Sequence, residues 1–112
     1  MKGMLRMNDE SKDWRRHLSQ KESLICFRLS LNMIREERIN LTEKEMMEVC
    51  GYKQIKSFKN HLSKLVEKGI IVIKKDEDYV DKPYCFDPDY VEYNEVGPRM
   101  YFRPLKNVQH TI

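Results

Sequence analysis

The segment Leu41–Lys75, LTEKEMMEVCGYKQIKSFKNHLSKLVEKGIIVIKK, constrains the fold more than any other part of the chain. It combines a helix cap, two glycine stops and a β-branched run. Thr42 with Glu45 three places on is a capping box: the hydroxyl accepts from the N3 amide and the carboxylate accepts from the cap amide. Leu41 and Met46 occupy the positions of a hydrophobic staple. Met46, Met47, Val49 and Cys50 supply an apolar stripe of about two turns, short for an independent helix. Gly51 suits the left-handed position after such a helix, and Tyr52 follows in the turn. Ile55, Phe58, Leu62 and Leu65 then recur at helical spacing, which predicts a second helix from about Lys53 to Lys68, closed by Gly69. Ile70–Ile73 is too β-branched and too short for a helix and reads as a buried strand.

Two helices joined by so short a turn must cross steeply, as in a helix-turn-helix. The face of the second helix opposite its apolar stripe carries Lys53, Lys56, Ser57, Asn60 and Lys64. From Lys53 to Lys68 there are five lysines and one acid, Glu67. This chemistry suits double-stranded DNA. Asn and Gln pair bidentately with adenine, Lys donates to guanine, and Ser contacts bases or phosphates. Gln54, Lys56, Ser57 and Asn60 are the candidate base readers. Lys53, Lys59 and Lys64 are the candidate phosphate neutralisers, which add affinity without sequence information. A solvated helix face also carries lysines. The capped helix before and the strand after favour nucleic acid over that reading.

The stretch CGYKQIKSFKNHLSKLVEKGIIVIKK resembles the recognition-helix-plus-wing segment of winged helix-turn-helix proteins. His61, Leu62, Leu65, Lys68, Gly69 and Ile70 match the family ending HLxxLxxKGhI, and the resemblance covers about a third of the chain. It implies an α+β fold: a winged helix-turn-helix of three main helices followed by a β-hairpin wing. Tyr84, Cys85 and Phe86 read as the returning strand of that hairpin. A wing in the minor groove usually offers Arg or Lys. This tip holds Asp76, Glu77, Asp78 and Asp81 instead, so only Lys74, Lys75 and Lys82 are left to approach phosphate. Phe86-Asp87-Pro88-Asp89-Tyr90 is similar to the NPxY/F turn after the wing in RepL-type plasmid replication proteins. That similarity implies a plasmid- or virus-borne protein; Asp87-Pro88 also reads simply as a turn.

At 112 residues, 40% hydrophobic and 35% charged, the chain is expected to be one globular domain. The expected layout is an arm over residues 1–18, the winged-helix domain over 19–105 and a loose tail over 106–112. Lys12, Arg15, Arg16 and His17 surround Trp14; they form a basic arm or pack, and packing is favoured for Trp14. Ser19 and Glu22 make a second capping box, opening a helix to about Arg38. Leu24, Phe27, Leu31 and Ile34 form one apolar face of that helix. Ile25, Cys26, Leu29 and Met33 form another, so burial on both sides is expected, with a homodimer through residues 19–38 as one way to cover the second side. Ile39 and Leu41 alternate like a short strand. After Gly97-Pro98, Met100–Arg103 reads as a third strand or as an apolar patch over the first helix.

The net charge of +3 conceals an asymmetry. Residues 76–95 hold eight acids and one lysine, against the basic 53–68 segment. That suits oriented binding to a phosphate backbone. Three cysteines, Cys26, Cys50 and Cys85, have no paired spacing, so small buried thiols are expected rather than a zinc site. No apolar run approaches a membrane span, and no signal-peptide core opens the chain, so an intracellular, cytoplasmic protein is expected. No phosphate loop, HExxH or GxSxG occurs; no cofactor, catalytic residue, metal or small-molecule substrate is expected, and the chain is not read as an enzyme. The leading expectation is sequence-specific DNA binding, as a transcriptional regulator or replication-control protein. The alternative is a winged-helix module that binds a host or partner protein.

Overall fold

Both capping boxes form. Ser19 Oγ accepts from the Glu22 amide at 3.1 Å, and Glu22 Oε1 accepts from the Ser19 amide at 3.0 Å. They open α1, Gln20–Ser30. Thr42 and Glu45 make the same exchange at 3.2 and 2.9 Å and open α2, Glu43–Val49. The third helix, α3, spans Ile55–Glu67. This computed structural model describes residues 13–106. Gly51 and Gly69 end α2 and α3 at φ +78° and +79°. Each sits in a paired turn of the Schellman type. The Tyr52 amide donates to the Met47 carbonyl, and the Ile70 amide donates to the Leu65 carbonyl, at 3.0 and 3.1 Å.

α1 stops at Ser30, not near Arg38 as expected. The Ser30 hydroxyl donates to the Phe27 carbonyl and the Asn32 amide side chain donates to the Arg28 carbonyl, so side chains satisfy final-turn carbonyls. The chain then doubles back. β1 (Met33–Ile34) pairs antiparallel with β2 (Arg38–Ile39) around the tight turn Arg35–Glu37. Glu36 and Glu37 both take left-handed φ there, 62° and 58°. Glu37 uses its position to accept a hydrogen bond from the Tyr93 amide.

β3 (Ile71–Ile73) and β4 (Tyr84–Phe86) form the expected hairpin. All four strands make one antiparallel sheet in the order β1-β2-β4-β3. Arg38 stands at its centre, opposite Cys85. It is buried, and its guanidinium donates to the carbonyls of Lys74 and Lys82 at 2.9 and 3.0 Å. It also lies over the Tyr79 ring. One side chain thus closes the long β3–β4 loop, whose acidic tip coils into the 3-10 turn Glu77–Tyr79. The fold is therefore α+β, with three α-helices and antiparallel sheets among the described residues.

The core gathers Ile25, Leu29, Met46, Phe58, Leu62, Leu65, Ile70, Ile71 and Phe86 between the helices and the sheet. α2 and α3 approach α1 from one side only, and Ile25, Cys26 and Leu29 are buried there. Burial of a second face of α1, expected from its pattern, is not found among the described residues. Leu24, Phe27 and Leu31 remain 41%, 55% and 59% exposed.

Trp14 packs, as favoured. It is fully buried, its indole donates to the Tyr101 carbonyl at 2.8 Å, and its amide donates to the Arg103 carbonyl. Tyr90 lies against it, with ring centres 5.3 Å apart. Asp87 and Asp89 begin that segment with an Asx turn, the Asp89 amide donating to Asp87 Oδ1. Arg99–Met100 (β6) pairs with Val91–Glu92 (β5) in a separate two-stranded sheet, so of the expected Met100–Arg103 only Met100 is in a strand, and it does not extend the hairpin. Lys106, expected in a loose tail, is fastened: its ammonium reaches Asp87 and Asp89, and its amide donates to the Tyr90 hydroxyl. Lys12 and residues 107–112 lie outside the described residues.

Two backbone positions yield opposite expected effects. Among the described residues nothing lies within 4 Å of a Cβ built on Gly51, so Gly51→Ala should cost only the left-handed strain, about 1 kcal/mol. Glu36→Gly relieves the same strain and should gain up to about 1 kcal/mol after the added chain entropy is subtracted. Urea unfolding of the two variants checks both signs.

Candidate nucleic-acid interface

The candidate interface is built on α3. Its apolar residues Phe58, Leu62 and Leu65 are buried, which turns Lys56, Ser57, Lys59, Asn60 and Lys64 to solvent. Ile55, expected in the buried stripe, is 42% exposed. The helix begins at Ile55, two residues later than expected, so Lys53 and Gln54 belong to the turn before it. Gln54 is the N-cap, in extended conformation, and its side chain makes no capping bond among the described residues. The first turn of α3 contains no acid. Its free amides and the helix dipole therefore leave a positive end.

Lys56, Ser57, Lys59 and Asn60 line one open, shallow concavity on this helix. These are four of the nine residues singled out from the sequence. Lys53 and Gln54 are exposed just ahead of it in the chain. Lys64 lies further along α3, close enough to Glu22 for its charge to help hold that carboxylate ionised. Lys74 and Lys75 are exposed at the start of the hairpin loop, and Lys75 lines a different cleft. The structure thus assembles the helix residues and does not bring the hairpin lysines into the same concavity.

Other elements hold α3 in place. Glu43, at the first position of α2, sits 3.6 Å from the Lys59 ammonium and accepts a 2.7 Å hydrogen bond from the Tyr84 hydroxyl. Burial and this bond push the Tyr84 phenol up to about 12, so it stays a donor. β4, α2 and α3 are joined through one carboxylate. The Glu43–Lys59 pair is exposed, so it orients Lys59 more than it stabilises the fold. Tyr52 packs edge-on against Phe58, and the His61 Nδ1 lies 3.1 Å from both the Tyr52 hydroxyl and the Ser57 carbonyl. His61 therefore braces the turn onto the helix.

The far end of α3 is anchored by charge. Lys68 donates to Glu22 Oε1 at 2.6 Å and to the His17 carbonyl at 2.8 Å. Burial alone would raise the Glu22 carboxyl; the bond from Lys68, the Ser19 amide and the nearby lysine charges outweigh it and hold the group below its ordinary 4.5. Glu43, Lys68 and Arg38 escape sequence reasoning as structural partners, because each acts on residues distant in the chain. The capping box that places Glu22 at the start of α1 is the one local signal for this group.

The cysteines are buried free thiols. Burial pushes Cys26 up to about 12 and Cys50 to about 11, so both stay protonated at neutral pH and are poor nucleophiles. Among the described residues no group of three or more His, Cys, Asp and Glu side chains is placed to hold a metal ion. No helix among them is long and apolar enough to cross a membrane. In comparison with known proteins, no family model, curated protein or solved structure matches this chain.

The Glu22 group sets an acid limb. Its lowered value means stability that is fully present above the ordinary 4.5 and is lost as pH falls through the folded-state value. Lys68→Met strands a buried carboxylate and should cost about 2 kcal/mol at pH 7. Glu22→Gln should be destabilised at pH 7, and its deficit relative to the unaltered protein should shrink as pH falls below 4.5. Urea titrations across that range check this; a deficit independent of pH would rule out the ionised pair as its source.

Proposed function

We propose that this chain is a winged helix-turn-helix protein that binds double-stranded DNA through α3, as a small transcriptional regulator or replication-control protein. One observation carries the reading. The exposed side of α3 presents Lys56, Ser57, Lys59 and Asn60 in one concavity at its N-terminal half, where a recognition helix meets base edges. The short connection between α2 and α3, its Gly51 turn and the following β3–β4 hairpin support the same reading.

In this mechanism the N-terminal half of α3 enters the major groove. Lys56, Ser57 and Asn60 face base edges, and Gln54 reaches in from the cap position with a side chain not spent on the helix. Lys53, Lys59 and Lys64 neutralise phosphates. Glu43 holds Lys59 until a phosphate takes its place. The hairpin tip contributes no reader. Its four acids would meet a negative groove, and Arg38 draws the loop that bears them onto the sheet. Lys74 and Lys75 remain at most outer phosphate contacts.

A second reading, a protein-interaction module, draws on the exposed Leu24, Phe27 and Leu31 of α1. The two readings separate on labelled random duplex at low and high salt. Salt-sensitive binding favours DNA; no binding at low salt favours the interaction module.

Lys56→Glu with Lys59→Glu should weaken duplex binding at least about 100-fold and flatten the salt dependence by about two units, with the thermal melt nearly unchanged. Unaltered binding by the folded double variant would refute the mechanism. Selection from a random duplex pool would then report the operator.

A further inference from the structure

Two apolar surfaces on this domain have no cover among the described residues. One is the outer stripe of α1, Leu24, Phe27 and Leu31, flanked by the exposed cations Lys21 and Arg28, of which Arg28 also donates to the Val49 carbonyl at 3.1 Å. No exposed acid of α1 lies beside it, because Glu22 is turned inward to Lys68. The other is a cleft of about 460 Å³ on the β3–β4 hairpin, lined by Ile73, Val80 and Pro83 with Lys75, Asp76 and Glu77. Ile73 is 52% and Val80 79% exposed. The segment around this cleft, residues 75–82, contains four acids and two bases, Lys75 and Lys82.

We propose that the outer stripe of α1 docks into the hairpin cleft of a second copy of this chain. The surfaces match in both respects that set an interface. Each offers a few large apolar side chains for the centre, and their rims are opposite in net charge. The same rims argue against α1 meeting α1 across a two-fold axis. That arrangement would set Lys21 and Arg28 against their own copies with no exposed acid of the helix between them. One contact between two different patches leaves a free cleft on one protomer and a free stripe on the other, so assembly continues as a row or closes as a ring. The inference uses no residue of the α3 concavity and stands or falls apart from the DNA reading.

The roles of the acids differ. Asp76 accepts from the Asp78 amide and lies 3.9 Å from the Arg38 guanidinium, so it is partly spoken for within the chain. Glu77 and Asp81 are exposed and are the groups offered to Lys21 and Arg28.

Sedimentation velocity on the full chain, from about 1 μM to about 1 mM, tests the proposal. The expected result is mass that grows with concentration beyond a dimer. Lys21→Glu with Arg28→Glu should remain monomeric, and so should Glu77→Lys with Asp81→Lys. An equimolar mixture of these two variants restores opposite rims at every contact and should regain growth. Phe27→Asp should weaken association at least about tenfold without a compensating partner. All these side chains are exposed, and regained growth on mixing itself requires both variants to be folded. Three results would overturn the proposal: a monomer throughout the range, growth that ends at a dimer indifferent to Glu77→Lys with Asp81→Lys, or no regain on mixing.

Discussion

One carboxylate oxygen, Oε1 of Glu22, joins the start of the first helix to the end of the third. It accepts from the Ser19 amide, which completes a helix cap, and from the Lys68 ammonium, which leaves α3 at its final turn. Lys68 also holds the His17 carbonyl, so the segment before α1 is fixed by the same group. The direction of α3 relative to α1 follows from this corner together with the Phe58, Leu62 and Leu65 contacts. A lysine-bearing helix face becomes an interface only when it is held at a defined angle. The ion pair at one end and the buried Phe58, Leu62 and Leu65 contacts hold it there.

The parts of the fold that were legible in the sequence are those fixed within a few residues. Thr42 with Glu45 and Ser19 with Glu22 begin helices because cap and partner lie one turn apart. Gly51 and Gly69 end helices because a left-handed residue is needed there. The β-branched Ile71–Ile73 and its return Tyr84–Phe86 pair as their composition suggests. The end of α1 was not legible. Leu31, Met33 and Ile34 continue its helical spacing, and the left-handed turn that follows is made by Glu36 and Glu37, which carry no glycine signal. Propensity would have placed a helix there. The hairpin wins because β2 must lie beside β4, where Arg38 can satisfy two carbonyls 36 and 44 residues away.

The candidate site divides along the same line. Lys56, Ser57, Lys59 and Asn60 share a helix face, and helical spacing alone brings them together. Lys74 and Lys75 were grouped with them by charge, and charge carries no position. The acidic tip raised doubt about the hairpin from sequence alone. What the structure adds is its tether: the loop is not a free finger but is drawn onto Arg38, with Tyr79 under the guanidinium. The acidity of Glu43 gave no hint that it would stand beside Lys59, since nothing local places the start of α2 against the face of α3.

The clasp between Trp14 and Tyr101 imposes an order on biosynthesis. The indole and its carbonyl partner are 87 residues apart in the chain. α1, α2, α3 and the β3–β4 hairpin all precede Tyr101 in the sequence. Trp14 cannot complete this bond until Tyr101 has been made. The largest buried side chain thus takes its hydrogen-bond partner from the far end of the described chain, so the seam it closes depends on both ends being present.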